Sequence, residues 1–97
     1  MKAYVVNEIT ISDPALYQTY VDPMPQTLLP FGGRFLARGA PEAIAGDVPS
    51  PRVVLLEFPD AASARAWRDS ESYTRILEIR NRASTSRVYL MSGEQQP

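Results

Sequence analysis

Apolar residues gather along this chain in short blocks whose spacing changes from one block to the next. Residues 2–11, KAYVVNEITI, are rich in β-branched and aromatic types and predict a strand. Ser12-Asp13-Pro14 then predicts a helix start, with Asp13 as N-cap and Pro14 at the first helical position, where its missing N–H costs nothing. Leu16, Tyr17, Tyr20 and Met24 continue an apolar stripe, which Pro23 and Pro25 must break or kink. A second helical piece is expected from Pro25 to about Leu29, ended by Pro30 and Gly32-Gly33. Residues 34–39 and 52–58 read as the second and third strands, joined by a proline-bearing connection over 40–51. Asp60 is placed to cap a helix over AASARAWRD, a break falls near Ser70, and SYTRILEIRNR continues as helix. Glu71/Arg75 and Glu78/Arg82 have the spacing of helical ion pairs. TSRVYLM at 85–91 predicts the last strand, and residues 93–97 a frayed tail.

This order, β-α-β-β-α-β, predicts an α+β, ferredoxin-like fold with a four-stranded antiparallel sheet and helices on one face. Strand periodicity adds a second expectation. Val53 and Leu55 fall on one face of the third strand and Val54, Leu56 and Phe58 on the other; Tyr4 and Val6 oppose Ala3, Val5 and Ile9; Val88 and Leu90 oppose Tyr89 and Met91. Both faces are therefore apolar, and helices cover only one. The other face calls for a second copy of the chain, so a homodimer is expected.

Composition mainly removes possibilities. At 97 residues the chain is expected to form one domain, 1–97, with little core to spare. A net charge of −1 gives no electrostatic case for a nucleic-acid or anionic-membrane partner. RVVLLEFP also lacks the glycine and aromatic pattern with which a sheet of this topology stacks RNA bases. With no Cys and no His there is no thiol chemistry, no His general base and no conventional transition-metal site, so neither metal nor cofactor is expected. MKAYVVNEIT is not a leader, nothing approaches a membrane span, and a cytoplasmic location is the default reading.

Several segments together carry a family resemblance: DPALYQTY (13–20), FGGRFLARG (31–39), VVLLEFPDAASARAW (53–67), DSESY (69–73) and SRVYLMSG (86–93). In this order they resemble domain-of-unknown-function family 1330, within the dimeric α+β barrel superfamily. The resemblance implies the fold and dimerisation more strongly than any activity. Superfamily relatives include cofactor-independent mono-oxygenases, muconolactone isomerase-like enzymes and small stress-response proteins, with ligands held between helices and sheet. Arg68 departs from the pattern, standing where an aromatic often follows the tryptophan, as do the extra prolines in 40–51 and the Ser-Glu-Ser before Tyr73.

The candidate site residues each admit a structural reading beside a functional one. Strict alternation puts Arg34 and Arg38 on one face of the second strand, either as a charged edge, paired with Glu57, or binding an anionic ligand. Glu57 interrupts an apolar strand. It is a salt-bridge partner or, if desolvation raises its pKa, a catalytic acid/base. Tyr73, Ile76, Leu77 and Arg80 share a helical stripe, so Arg80 must snorkel out, pair with a carboxylate (the expected outcome) or face a cavity. Trp67 and Tyr73, at the helix break, and Tyr20 are core or ligand wall. Two functions compete. One is a dimer that binds or transforms a small anionic or aromatic molecule, the other a non-catalytic dimeric module; a cleft containing Glu57 or Arg80 distinguishes them.

Overall fold

In the computed structural model, which describes residues 1–94, strand β1 (Ala3–Ile11) is central and pairs antiparallel with both β3 (Arg52–Phe58) and β4 (Ser84–Ser92). Strand β2 (Arg34–Gly39) pairs with β3, giving the sheet order β2-β3-β1-β4 with β2 and β4 at the edges. Helices α1 (Pro14–Val21), α2 (Met24–Leu28), α3 (Ala61–Asp69) and α4 (Glu71–Ala83) carry the remaining buried side chains. This is the expected α+β, ferredoxin-like order.

Local chemistry sets most boundaries. The Asp13 carboxylate accepts from the Leu16 amide at 3.1 Å and that of Asp60 from the Ser63 amide at 2.7 Å, so both N-caps form. Ser70 ends α3 and caps α4 through its hydroxyl, which accepts from the Tyr73 amide at 3.3 Å. The second helical piece starts one residue earlier than expected, and a 3₁₀ turn at Leu29–Phe31 takes in Pro30. Gly32 closes that turn at φ 70°, a left-handed conformation that favours glycine. Gly33 is required for space: a Cβ there would lie 2.6 Å from the Phe58 ring. Glu71 and Arg75 pair at 2.9 Å, whereas Glu78 and Arg82 form no ion pair among the described residues. Gly93, expected to begin a frayed tail, instead donates to the Lys2 carbonyl at 2.7 Å; the rest of that expectation, at 95–97, lies outside the described residues.

The inner sheet face supplies Ala3, Val5, Ile9, Val54, Leu56 and Phe58 to a core completed by Tyr17, Tyr20, Met24, Leu28, Trp67, Tyr73 and Ile76. Each large side chain buried there stabilises the fold by ~1.5–3 kcal/mol. Among the described residues no helix covers the outer face. Val6 sits at its centre, opposite Leu55 on β3 and Tyr89 on β4.

Strand β2 departs from the expected alternation. Arg34 is opposite Glu57 and Phe35 opposite Leu56, but Ala37 is opposite Leu55 and Arg38 opposite Val54. Leu36 is the extra residue of a β-bulge, so Arg34 and Arg38 lie on opposite sheet faces rather than on one.

Ion pairs flank the apolar centre of the outer face. Glu8 accepts from Arg87 at 2.8 Å and Ser50 at 3.0 Å through one oxygen, and from the Tyr89 hydroxyl at 2.7 Å through the other. The Arg87 bond first, then those of Tyr89 and Ser50, hold its pKa at about 2 against an ordinary 4.5. A carboxylate depressed in the folded state gives stability that is complete above its unfolded pKa and is lost as pH falls through the folded one. Urea unfolding of Glu8→Gln should therefore vary less than wild type between pH 4.5 and 2, with a lower plateau at neutral pH. Parallel pH profiles for the two proteins would contradict this network.

Candidate functional site

The helices and the inner sheet face enclose a chamber built from aromatic and cationic residues. From α1 come Tyr17 and Tyr20, from α3 Trp67 and Arg68, and from α4 Tyr73 and Arg80; β2 and β3 add Arg38 and Arg52, and β1 adds Asn7. Tyr20 and Tyr73 meet hydroxyl to hydroxyl at 2.8 Å, and Arg80 Nη1 donates to the Tyr73 oxygen at 3.1 Å. The Trp67 and Tyr73 rings lie 4.0 Å apart between centroids, and the indole N–H donates to Thr27 at 3.1 Å.

Arg80 is the centre of this arrangement. It is 4 % exposed, no carboxylate pairs with it among the described residues, and its Nε has no hydrogen-bond partner. The expected pairing with a carboxylate does not form among the described residues, because the helical stripe points Arg80 into a chamber with no acidic lining residue among them. Arg52 Nε, Arg68 Nη1 and the Asn7 carbonyl oxygen are likewise buried without partners. Buried polar groups are almost always satisfied, so several orphans around one space leave hydrogen-bonding capacity there for a polar occupant, water included. The Arg38 guanidinium sits 4.3 Å from the Phe35 ring centroid, and that of Arg68 5.6 Å from the Tyr73 centroid, positions of cation–π attraction.

Burial keeps the phenols of Tyr17 and Tyr20 neutral. Burial pushes the Tyr20 pKa far above its usual value, with the Tyr73 contact adding to it; burial also raises that of Tyr17, against the opposing charges of Arg52 and Arg80. Arg80 can only donate to Tyr73, so one of the two paired phenol protons has no partner within the pair and is free to serve an acceptor in the chamber.

The structure thus brings Tyr20, Arg38, Trp67, Tyr73 and Arg80 into one place, and separates Glu57 and Arg34 from them. Glu57 is on the outer face, where Arg34 Nε and Nη2 each approach its carboxylate to 2.9 Å and Lys2 Nζ lies 3.4 Å away. The Arg34 bond lowers its pKa, against a smaller raising effect of burial. An acid/base poised near neutrality needs the opposite shift, so of the two readings of Glu57 the geometry matches the ion pair with Arg34, beside the open sheet face. Asn7, Tyr17, Arg52 and Arg68 were missed. The period-two pattern offered a signal for two of them, since Asn7 follows Ala3 and Val5 onto the inner face and Arg52 precedes Val54 and Leu56 on theirs. Among the described residues no group of carboxylates has the arrangement to hold a metal ion, and no helix is long and apolar enough to cross a membrane.

Helices over one face of a β2-β3-β1-β4 sheet place the chain in the ferredoxin-like α+β class. Within that class it belongs to the family described as a domain of unknown function, DUF1330, whose model matches residues 2–94. No curated protein matches the chain. Among solved structures it is similar to RPA0582, a protein of unknown function from Rhodopseudomonas palustris, at 15 % identity and TM-score 0.77, covering 98 % of this chain and 84 % of that one. It is similar also to SnoaB, a cofactor-independent oxygenase from Streptomyces nogalater, at 17 % identity and TM-score 0.70, covering 98 % and 95 %. A dimeric ferredoxin-like protein of unknown function from Thermobifida fusca matches at 15 % identity and TM-score 0.67, covering 95 % and 91 %.

Proposed function

We propose that this chain is a small-molecule-binding protein whose ligand is an anion with an aromatic or other apolar body, its charged end directed to the arginine chamber. The observation that carries the reading is Arg80, a buried guanidinium with an unpartnered Nε and no carboxylate beside it. Leaving such a charge uncompensated is costly, and a ligand carboxylate or enolate would supply the missing partner. Tyr20 and Tyr73 would add a hydroxyl donor, Arg38 a further cation, and Trp67 an apolar wall. Among the described residues no carboxylate lines the chamber to serve as a general base, so the arrangement favours binding and stabilising an anion over generating one. The neighbour described as a cofactor-independent oxygenase shows that this fold can host chemistry without a cofactor.

The test is titration calorimetry of wild type and Arg80→Met with benzoate. Losing a charge-assisted bond of ~1.5–3 kcal/mol should weaken binding ~10–100-fold. Methionine preserves much of the apolar volume while removing a buried charge, so stability should hold or rise. Unchanged binding together with a large loss of stability would make Arg80 structural and end this reading.

One observation favours the competing view of a module without ligand: the chamber's free volume is about 20 Å³. That is room for about one water molecule. The same titration separates the two, since a module without ligand gives no heat with wild type.

We also infer that two copies pair through the outer sheet face. Tyr4, Val6, Val53 and Leu55 leave an apolar centre there, flanked by Glu8–Arg87 on one side and Glu57–Arg34 on the other. Both signs of charge are present on one surface, so the patch can be self-complementary, as a two-fold interface between identical copies needs.

A further inference from the structure

A groove runs along the outside of the chamber, between α3 and the edge strand β4. Its free volume is about 320 Å³, and its apolar walls are Val5, Ala64, Trp67, Val88 and Leu90. Val5, Trp67, Arg68 and Val88 line the groove and the chamber alike, so the two spaces meet at these side chains. The charged residues of the groove, Arg65 and Arg68, are both cationic. Arg68 stands at the junction with its Nη1 buried and unpartnered.

We propose that the ligand is an aryl carboxylate too large for the chamber, its acid group reaching past Arg68 toward Arg80 and its ring system lying in the groove against Trp67. This deepens the arginine-chamber reading and rests on it. The sizes support the division: about 20 Å³ admits a head group at most, whereas about 320 Å³ is the scale of a small-ligand site. The charges support the polarity. Cations line the inner space and the junction, apolar side chains line the groove, and no acidic residue lines either space. A neutral aromatic would leave the orphaned guanidinium atoms unpaired, and a small anion would leave the groove empty.

The experiment is calorimetric titration with benzoate, 2-naphthoate and the uncharged 2-naphthalenemethanol. Wild type should bind 2-naphthoate about tenfold more tightly than benzoate, from the added apolar area. It should bind the alcohol at least about tenfold more weakly than 2-naphthoate, from loss of the charge-assisted bonds. Leu90 lies on the groove side of the junction and is half-buried, so it can be varied without touching the chamber. Leu90→Trp should collapse the naphthoate-to-benzoate ratio toward one by filling the groove. Leu90→Ala, less demanding on the fold, should lower that ratio by removing contact. If both acids bind with equal affinity in wild type, or the ratio survives both Leu90 variants, the groove assignment is overturned while the Arg80 reading stands. If neither acid binds, both fall.

Discussion

Trp67→Ala should cost ~3–5 kcal/mol of folding stability, the usual range for deleting a fully buried large aromatic. Its indole is 2 % exposed and packs 4.0 Å from the Tyr73 centroid and 5.3 Å from that of Phe58. Deleting it opens a void between α3, α4 and β3, and also removes the hydrogen bond to Thr27. A chain of this length has ~5–15 kcal/mol in total, so the variant should be partly unfolded at moderate temperature. Urea unfolding followed by far-ultraviolet circular dichroism is the measurement, because Trp67 is the chain's one tryptophan and its fluorescence leaves with it. Trp67→Phe should recover most of the loss. A cost below ~1 kcal/mol for the alanine variant would mean that the indole is a ligand wall with little structural duty.

The second large effect concerns assembly. Wild type should sediment at about twice the chain mass at micromolar concentration, and Leu55→Lys at the single-chain mass. Leu55 lies opposite Val6 at the middle of the open sheet face, where a two-fold interface would bring two introduced ammonium groups into one apolar patch. Leu55 is half-buried on the uncovered sheet face, where a lysine stem can lie along the apolar surface with its ammonium in water, so circular dichroism of the variant should remain native-like. A wild-type monomer, or a variant that stays dimeric, would show that the outer face is not the interface.

How far the sequence reached can be traced residue by residue. Periodicity located the strands and main helices because most amphipathic blocks are short and end in proline, glycine or an N-cap, signals whose cause is local, although α4 passes straight into β4 at Ala83–Ser84. Arg80 was legible for the same reason: its spacing from Tyr73 and Ile76 fixes its direction regardless of what surrounds it. What the sequence could not show was the partner it lacks, since an absent carboxylate is a property of the whole chamber. Arg38 failed differently. Alternation is a rule about regular pairing, and the bulge at Leu36 depends on how β2 docks onto β3, which residues 34–39 alone do not encode. Glu57 kept two readings open because a lone acid in an apolar strand looks desolvated until its cross-strand neighbour Arg34 is in place.

The extra residue at Leu36 bears on how this chain can change length. Phe35 faces inward, Ala37 outward and Arg38 inward, which is the sidedness a strand without Leu36 would have. Loss of that one codon would therefore be silent for the placement of Arg38, smoothing the edge strand without moving a cation from one face to the other. A single-codon deletion between paired positions elsewhere in the sheet would invert every side chain beyond it, exchanging core for surface. The bulge is thus a point of tolerance to insertion and deletion within an otherwise rigid reading frame of inward and outward positions. In relatives of different length, a gap opposite Leu36 leaves the chamber and the open face each with its own arginine.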